Sequence, residues 1–161
     1  MSRPQTLHEK KLVRLVVFSI AGYRLGLPLG SILRVVNCPD ELRSQSSECL
    51  ELLQLGQHTI SVLNLRSRLG QGQTQPRTIS TESDFLVVAK VGEQLCAIRV
   101  DAPPDMIEVE ETAIRQLPDA YRQGHPLSIA SQVAVLPQGK ATLAIFLLDL
   151  KQVLARLGVN R

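Results

Sequence analysis

Apolar residues in this chain gather in short runs, many of them alternating with polar ones, and the runs come in pairs separated by glycine. The clearest pair lies between Asp84 and Val109. Phe85 to Val91 and Leu95 to Val100 flank Gly92 and Glu93, which is the pattern of a β-hairpin with a tight turn. In the returning run Ile98 and Val100 share one face, while Arg99 and Asp101 fall on the other. Pro103 and Pro104 end the ladder, because proline has no N–H to donate. Ile107 and Val109 then resume the alternation between Glu108 and Glu110.

The same order of runs occurs earlier. Leu15-Val16-Val17 leads to Gly22, then to Leu25, Leu27 and Leu29, then to Ile32 and Val35. Each half also closes alike: Thr59 to Leu63 runs into Asn64-Leu65-Arg66, and Leu143 to Leu148 runs into Asp149-Leu150-Lys151. Two copies of one plan predict two similar small β units packed side by side.

Around these runs the remaining elements fall into place. Leu12 to Ile20 is a first strand and Leu25 to Leu29 its return, with Pro28 arguing for an edge or a bulge. Ser31 to Asn37 reads as a turn leading into a strand, and Cys38 to Glu48 as a surface loop. Cys49 to Leu55 and His58 to Leu65 are strands joined at Gly56 and Gln57. Leu65 to Leu69 is one helical turn stopped at Gly70. Residues 71–83 have no apolar period and form the boundary between the halves. Glu110 to Leu117 is a short turn, and Asp119 to Ser128 is loop. Ile129 to Leu136 and Lys140 to Leu148 make a last hairpin around Pro137-Gln138-Gly139. Leu150 to Leu157 is the one sustained helix: Asp149 is its N-cap, Gln152 a capping-box partner and Gly158 its stop. Leu150, Val153, Leu154 and Leu157 form a stripe that must dock on a barrel, since so short a helix cannot stand alone.

Composition narrows the function classes. With 161 residues, 44% hydrophobic and 20% charged, the chain is one globular domain or two very small ones sharing a core. Aromatic residues are only 3%, so Leu, Val and Ile must fill the core. The net charge of +3 and pI near 9.0 are mildly basic, without the dense stripe of a nucleic-acid binder. Asp101, Asp105, Glu108, Glu110 and Glu111 form an acidic cluster, read as a solvated strand edge. Cys38, Cys49 and Cys96 lack C-x-x-C spacing and read as reduced, mostly buried thiols of a cytoplasmic protein. The sequence shows neither a signal peptide nor the about 18 apolar residues of a membrane span.

Catalytic patterns are missing. His8, His58 and His125 stand apart from other metal-ligand types, so neither a metal nor a cofactor is expected. There is no phosphate-binding glycine loop and no Gly-x-Ser-x-Gly elbow. Asp101 and Asp149 have structural explanations, a turn and a cap. These absences predict a protein that is not an enzyme.

Four segments resemble the CheW-like domain family. LVVFSIAGYRLGLPLGSILRVV is similar to its opening strand, turn, return and Ile-x-x-Val step. TISVLNLRSRLG is similar to its I-P-V-x-D-L-R-x-R-L-G segment, FLVVAKVGEQLCAIRVDAPPDMIEV to its second-half hairpin, and TLAIFLLDLKQVLARLG to its closing strand and helix. The resemblance implies an all-β fold with a C-terminal helix: two small five-stranded SH3-like β-barrels packed side by side. Residues 12–161 would then be a single CheW-like domain, with 12–70 the first barrel, 71–83 a linker, 84–148 the second barrel and 149–158 the helix. It also implies a non-enzymatic adaptor joining a chemotaxis-type histidine kinase, through the kinase's own CheW-like regulatory domain, to the cytoplasmic tip of a methyl-accepting chemoreceptor. Neither nucleic acid nor membrane insertion is expected. The receptor groove would lie between the barrels, bordered by Leu27, Leu29, Ile32 and Val35 and by Ile98 and Val100. Leu29 and Ile32, beside Pro28 and Gly30, are expected to be the exposed ones; the competing reading is that all six are core.

The chain departs from the family pattern at three places. Where Asn-Leu-Arg-Gly usually precedes the I-P-V strand, it has Leu53-Gln54-Leu55-Gly56-Gln57, so the turn at Gly56 and Gln57 carries no arginine. Ser61 and Asn64 replace a proline and an aspartate, and Asn37 stands where an acid is usual. Leu or Gln does not replace a five-donor guanidinium, so the family's coupling contacts do not carry over whole. Two other readings compete: a small-barrel nucleic-acid binder, which fits the pI but lacks stacking aromatics, and a hydrolase on an unrecognised β scaffold.

Overall fold

The computed structural model describes residues 11–39, 50–69, 85–118 and 129–156. They form eleven strands and two short helices: β1 (Leu12–Ile20), β2 (Tyr23–Pro28), β3 (Ile32–Asn37), β4 (Leu50–Leu55), β5 (His58–Leu63), α1 (Arg66–Leu69), β6 (Phe85–Val91), β7 (Gln94–Val100), β8 (Asp105–Glu110), β9 (Ile114–Gln116), β10 (Ala130–Gln138), β11 (Ala141–Leu148) and α2 (Leu150–Arg156). The expected loops 71–83 and Asp119 to Ser128, most of Cys38 to Glu48, and Cys49, Leu157 and Gly158 lie outside the described residues.

The alternating runs pair as hairpins. Ile20 faces Tyr23 across a two-residue turn in which Ala21 and Gly22 both have positive φ, at 53° and 86°. That hand matches the twist of the flanking strands. Val91 faces Gln94 across Gly92 and Glu93 in the second copy. The two closing segments, Asn64-Leu65-Arg66 and Asp149-Leu150-Lys151, each turn a strand into a helix. Asn64 Oδ1 accepts the Arg66 N–H at 3.3 Å, and Asp149 Oδ1 accepts the Gln152 N–H at 3.3 Å. Asn64 thus supplies with a neutral oxygen the acceptor that an aspartate supplies at the other end.

Strand pairing does not follow the halves of the chain. One sheet runs β8-β1-β2-β11-β10-β9 and the other β3-β6-β7-β5-β4. Each copy therefore gives its first hairpin to one sheet and its later strands to the other. Residues 12–70 and 84–148 are not two separate barrels: β1 and β2 belong with β8 to β11, and β6 and β7 with β3 to β5. The exchange is sealed by two parallel pairs, Leu25 with Phe146 and Gly26 with Leu147, and Ser61 with Cys96 and Val62 with Ala97. One sheet has a sixth strand because β9, read from sequence as a turn, follows the 3-10 turn Glu111–Ala113 and pairs with β10. Pro28 is the last residue of β2, beyond the part that β11 pairs, which is why the strand tolerates it. Pro137 lies inside β10 opposite Thr142, beyond the reach of β9, so the last turn falls at Gly139, where φ is 63°.

Three apolar cores result. Leu15, Val17, Val109 and Ile145 fill the first sheet's own side, and Ile60, Val62, Leu86 and Val88 fill that of the second. Between the sheets lies the largest, where Phe18, Ile20 and Leu27 meet Leu63, Val87, Ile98 and Val100. Leu150, Val153 and Leu154 of α2 join it, as the helical stripe predicts. Arg99, expected on an outward face, is buried with 4% exposure, because β7 is a central strand covered on both sides. Glu108 follows the expected edge reading: β8 is an edge strand, and Glu108 pairs with Arg14 at 3.0 Å between exposed side chains, a contact worth about 0–1 kcal/mol.

Candidate partner-binding surface

The predicted site residues separate by burial. Leu27, Ile98 and Val100 are core, at 2%, 0% and 0% exposure. No partner can touch them without opening the seam, so the reading that they are core holds for these three. They alternate correctly, but both faces of their strands are covered. Leu29 and Ile32 are half-buried against the central core, less open than expected. Val35 is exposed, and so are Gly56 and Gln57 at the β4–β5 turn. At that turn the Thr59 hydroxyl donates to Gln54 Oε1 at 3.1 Å.

Apolar side chains that the sequence reading did not select are also exposed. Leu33 stands at the irregular register of β3 against β6, where Ile32 faces Ala89 but Arg34 faces Val88. An extra residue in one strand has no opposite number, which frees its side chain. Leu12 and Met106 share the face of β1 and β8 that, further along, carries Val16 and Phe18 into the central core. Val35 sits opposite Val87, itself a central-core residue. The central core thus continues into exposed apolar positions on strands of both sheets. Where such exposed apolar side chains adjoin one another they form a candidate contact surface.

Two junctions tie the sheets together. At one, Asp101 follows β7. Its Oδ1 accepts from Arg66 Nε at 2.7 Å, and its Oδ2 accepts the Ala21 N–H at 3.2 Å. The Asp101 N–H donates to the Ser19 carbonyl at 3.2 Å. Asp101 therefore leaves the solvated acidic cluster to which its sequence neighbours assign it, and it holds Ala21 in its left-handed conformation. At the other junction a cavity of about 270 Å³ opens, lined among others by Leu27, Ser31, Lys90, Val91, Leu150 and Lys151. The alternation of Lys90 with Val91 gave no signal that it would line one cavity with Lys151, which comes from the far end of the chain.

Among the described residues, no three His, Cys, Asp or Glu side chains are grouped as a metal site would need. Burial pushes the Cys96 thiol up to about 11, so it stays protonated at neutral pH and is no nucleophile there. No helix of the described residues is long and apolar enough to cross a membrane.

The fold is that of a solved scaffold. The crystal structure of the scaffolding protein TtCheW from Thermoanaerobacter tengcongensis matches with a TM-score of 0.64 at 21% identity, over 89% of this chain and 88% of that one. No curated protein matches the sequence. The family model for the CheW-like domain matches residues 14–158, from the first strand to just past the closing helix, and the chain belongs to the CheW-like domain family.

Proposed function

We propose that this protein is a cytoplasmic, non-enzymatic adaptor. It links a chemotaxis-type histidine kinase, through that kinase's CheW-like regulatory domain, to the cytoplasmic tip of a methyl-accepting chemoreceptor. The observation that carries the receptor half is the exposed apolar surface of β3 next to the central core, with Val35 at 40% and Leu33 at 54% exposure. A helical receptor tip presents a complementary apolar stripe. Family membership supports the kinase half, and the exposed turn at Gly56 and Gln57 is the region where the two would meet. No observation favours the nucleic-acid reading.

Val35→Asp tests the receptor half better than a change at Ile32, whose half-buried side chain would confuse binding with folding. Burying a valine under a partner contributes on the order of 1.5 kcal/mol, so the variant should bind a receptor-tip fragment at least about tenfold more weakly. Its melting temperature should stay within about 2 °C of wild type. Calorimetric titration with a melting curve for each protein reads both. Unchanged affinity would place the receptor contact elsewhere. Hydrolysis of ATP or an ester by the pure protein, lost on a point substitution, would end the non-enzymatic reading.

A further inference from the structure

The internal repeat places two equivalent junctions in one molecule, and they are finished differently. The parallel pairs fix the equivalence. Leu25 faces Phe146 in one sheet as Cys96 faces Ser61 in the other. Counting forward from these pairs sets Lys151 on Arg66, Asp149 on Asn64 and Gly30 on Asp101. At the first junction the Arg66 guanidinium meets the Asp101 carboxylate. At the second, the base is present and the acid is missing. Gly30 has no side chain, and a Cβ built there would meet nothing within 4 Å. Lys90 lines the same cavity and brings a second basic side chain to it. Neither lysine makes an ion pair among the described residues. Asp149 also lines the cavity, but its Oδ1 caps the Gln152 N–H.

We propose that this open junction is a carboxylate acceptor, filled by a Glu or Asp side chain of a partner protein. The incoming acid completes at Lys151 and Lys90 the pair that Asp101 completes internally at Arg66. The walls define the rest of the segment. Val91 and Leu150 line the cavity beside the lysines, so the acid should sit next to an apolar residue. At about 270 Å³ the cavity suits side chains and falls below the roughly 300–1,000 Å³ of small-molecule sites. The identity of the partner rests on the adaptor reading, whereas the acceptor itself does not.

Two measurements decide it. The first uses the protein alone. Ser31 lines the cavity, so Ser31→Asp supplies the missing acid in cis. It should raise the melting temperature by about 2 °C at low salt. The rise should vanish in a Lys90→Ala, Lys151→Ala background and at 1 M NaCl, where the Debye length is about 3 Å. The second titrates the kinase regulatory domain and the receptor-tip fragment separately against wild type, the double lysine variant and Ser31→Asp. One fragment should bind both variants about tenfold more weakly at low salt, with the gap narrowing at high salt. Carbodiimide coupling should then join Lys90 or Lys151 to a Glu or Asp of that fragment. The proposal fails if Ser31→Asp gives no lysine-dependent rise, or if both fragments bind the lysine variant like wild type. Wild type binding neither fragment while the cis rise persists would sink the adaptor reading and leave the acceptor standing.

Discussion

Leu154→Asp is expected to lower the melting temperature by about 10 °C or more. Leu154 sits on the inner face of α2, 3% exposed, in the core between the sheets. Truncating a buried leucine costs about 2–5 kcal/mol, and a carboxylate placed there finds no partner and must be desolvated or protonated. A total of about 4 kcal/mol, at about 2–4 °C per kcal/mol for a chain of this size, gives the shift. Ala155, the next residue, is exposed. Ala155→Asp on the same helix should stay within about 0.5 kcal/mol of wild type. Urea melts of the two variants separate loss of the docked face from damage to the helix itself. Equal midpoints would mean that α2 does not seal the seam.

Gly26→Val should be nearly as costly, for a steric reason. Gly26 lies in β2 beside β11, and a Cβ there would stand 3.1 Å from Ile145 Cγ2 and 3.2 Å from Leu147 Cδ2. Valine adds two further methyl groups to a site where a Cβ alone already requires Ile145 and Leu147 to give by a few tenths of an ångström. Overpacking of this kind costs about 1–3 kcal/mol, and a central strand pair leaves little room to relax. Gly30→Ala is the control, because open space surrounds that position. Urea denaturation of Gly26→Ala with and without Leu147→Ala measures the coupling. If trimming Leu147 recovers none of the loss, the close approach of β2 to β11 is not its cause.

Much of this architecture is legible in the chain because local chemistry dictates it. Glycine turns, alternation and the Asn64 and Asp149 caps act over a few residues, and each hairpin and helix start follows from them. Partner choice is different. Nothing within β2 says that it will lie beside β11 instead of beside strands of its own half, because either neighbour would bury Leu25 and Leu27. The same ambiguity hid the fate of the expected groove residues. Leu27, Ile98 and Val100 have the same pattern in a strand open on one side as in one covered on both. Val35 was within reach, because polar Arg34 and Asn37 flank an apolar pair at the end of an edge strand. Arg99 was not: a charge on an alternating strand normally marks the wet face, and only the second core behind β7 buries it. The cavity with Lys90 and Lys151 joins residues whose proximity depends entirely on the exchange of strands.

That exchange sets an order on synthesis. The sheet β3-β6-β7-β5-β4 holds all its strands once residue 100 has left the ribosome. The other has β1 and β2 first of all, yet β2 receives its parallel neighbour only when β11 emerges. At about 5–20 residues per second, the finished sheet waits roughly 2–10 s for the rest of its companion. Throughout that interval the open flank of β2 carries unpaired backbone groups alongside Leu25 and Leu27. Such an edge is a template for other nascent chains. The nascent protein is therefore most vulnerable to aggregation, and most in need of a chaperone, after the sheet β3-β6-β7-β5-β4 is built and before β11 arrives.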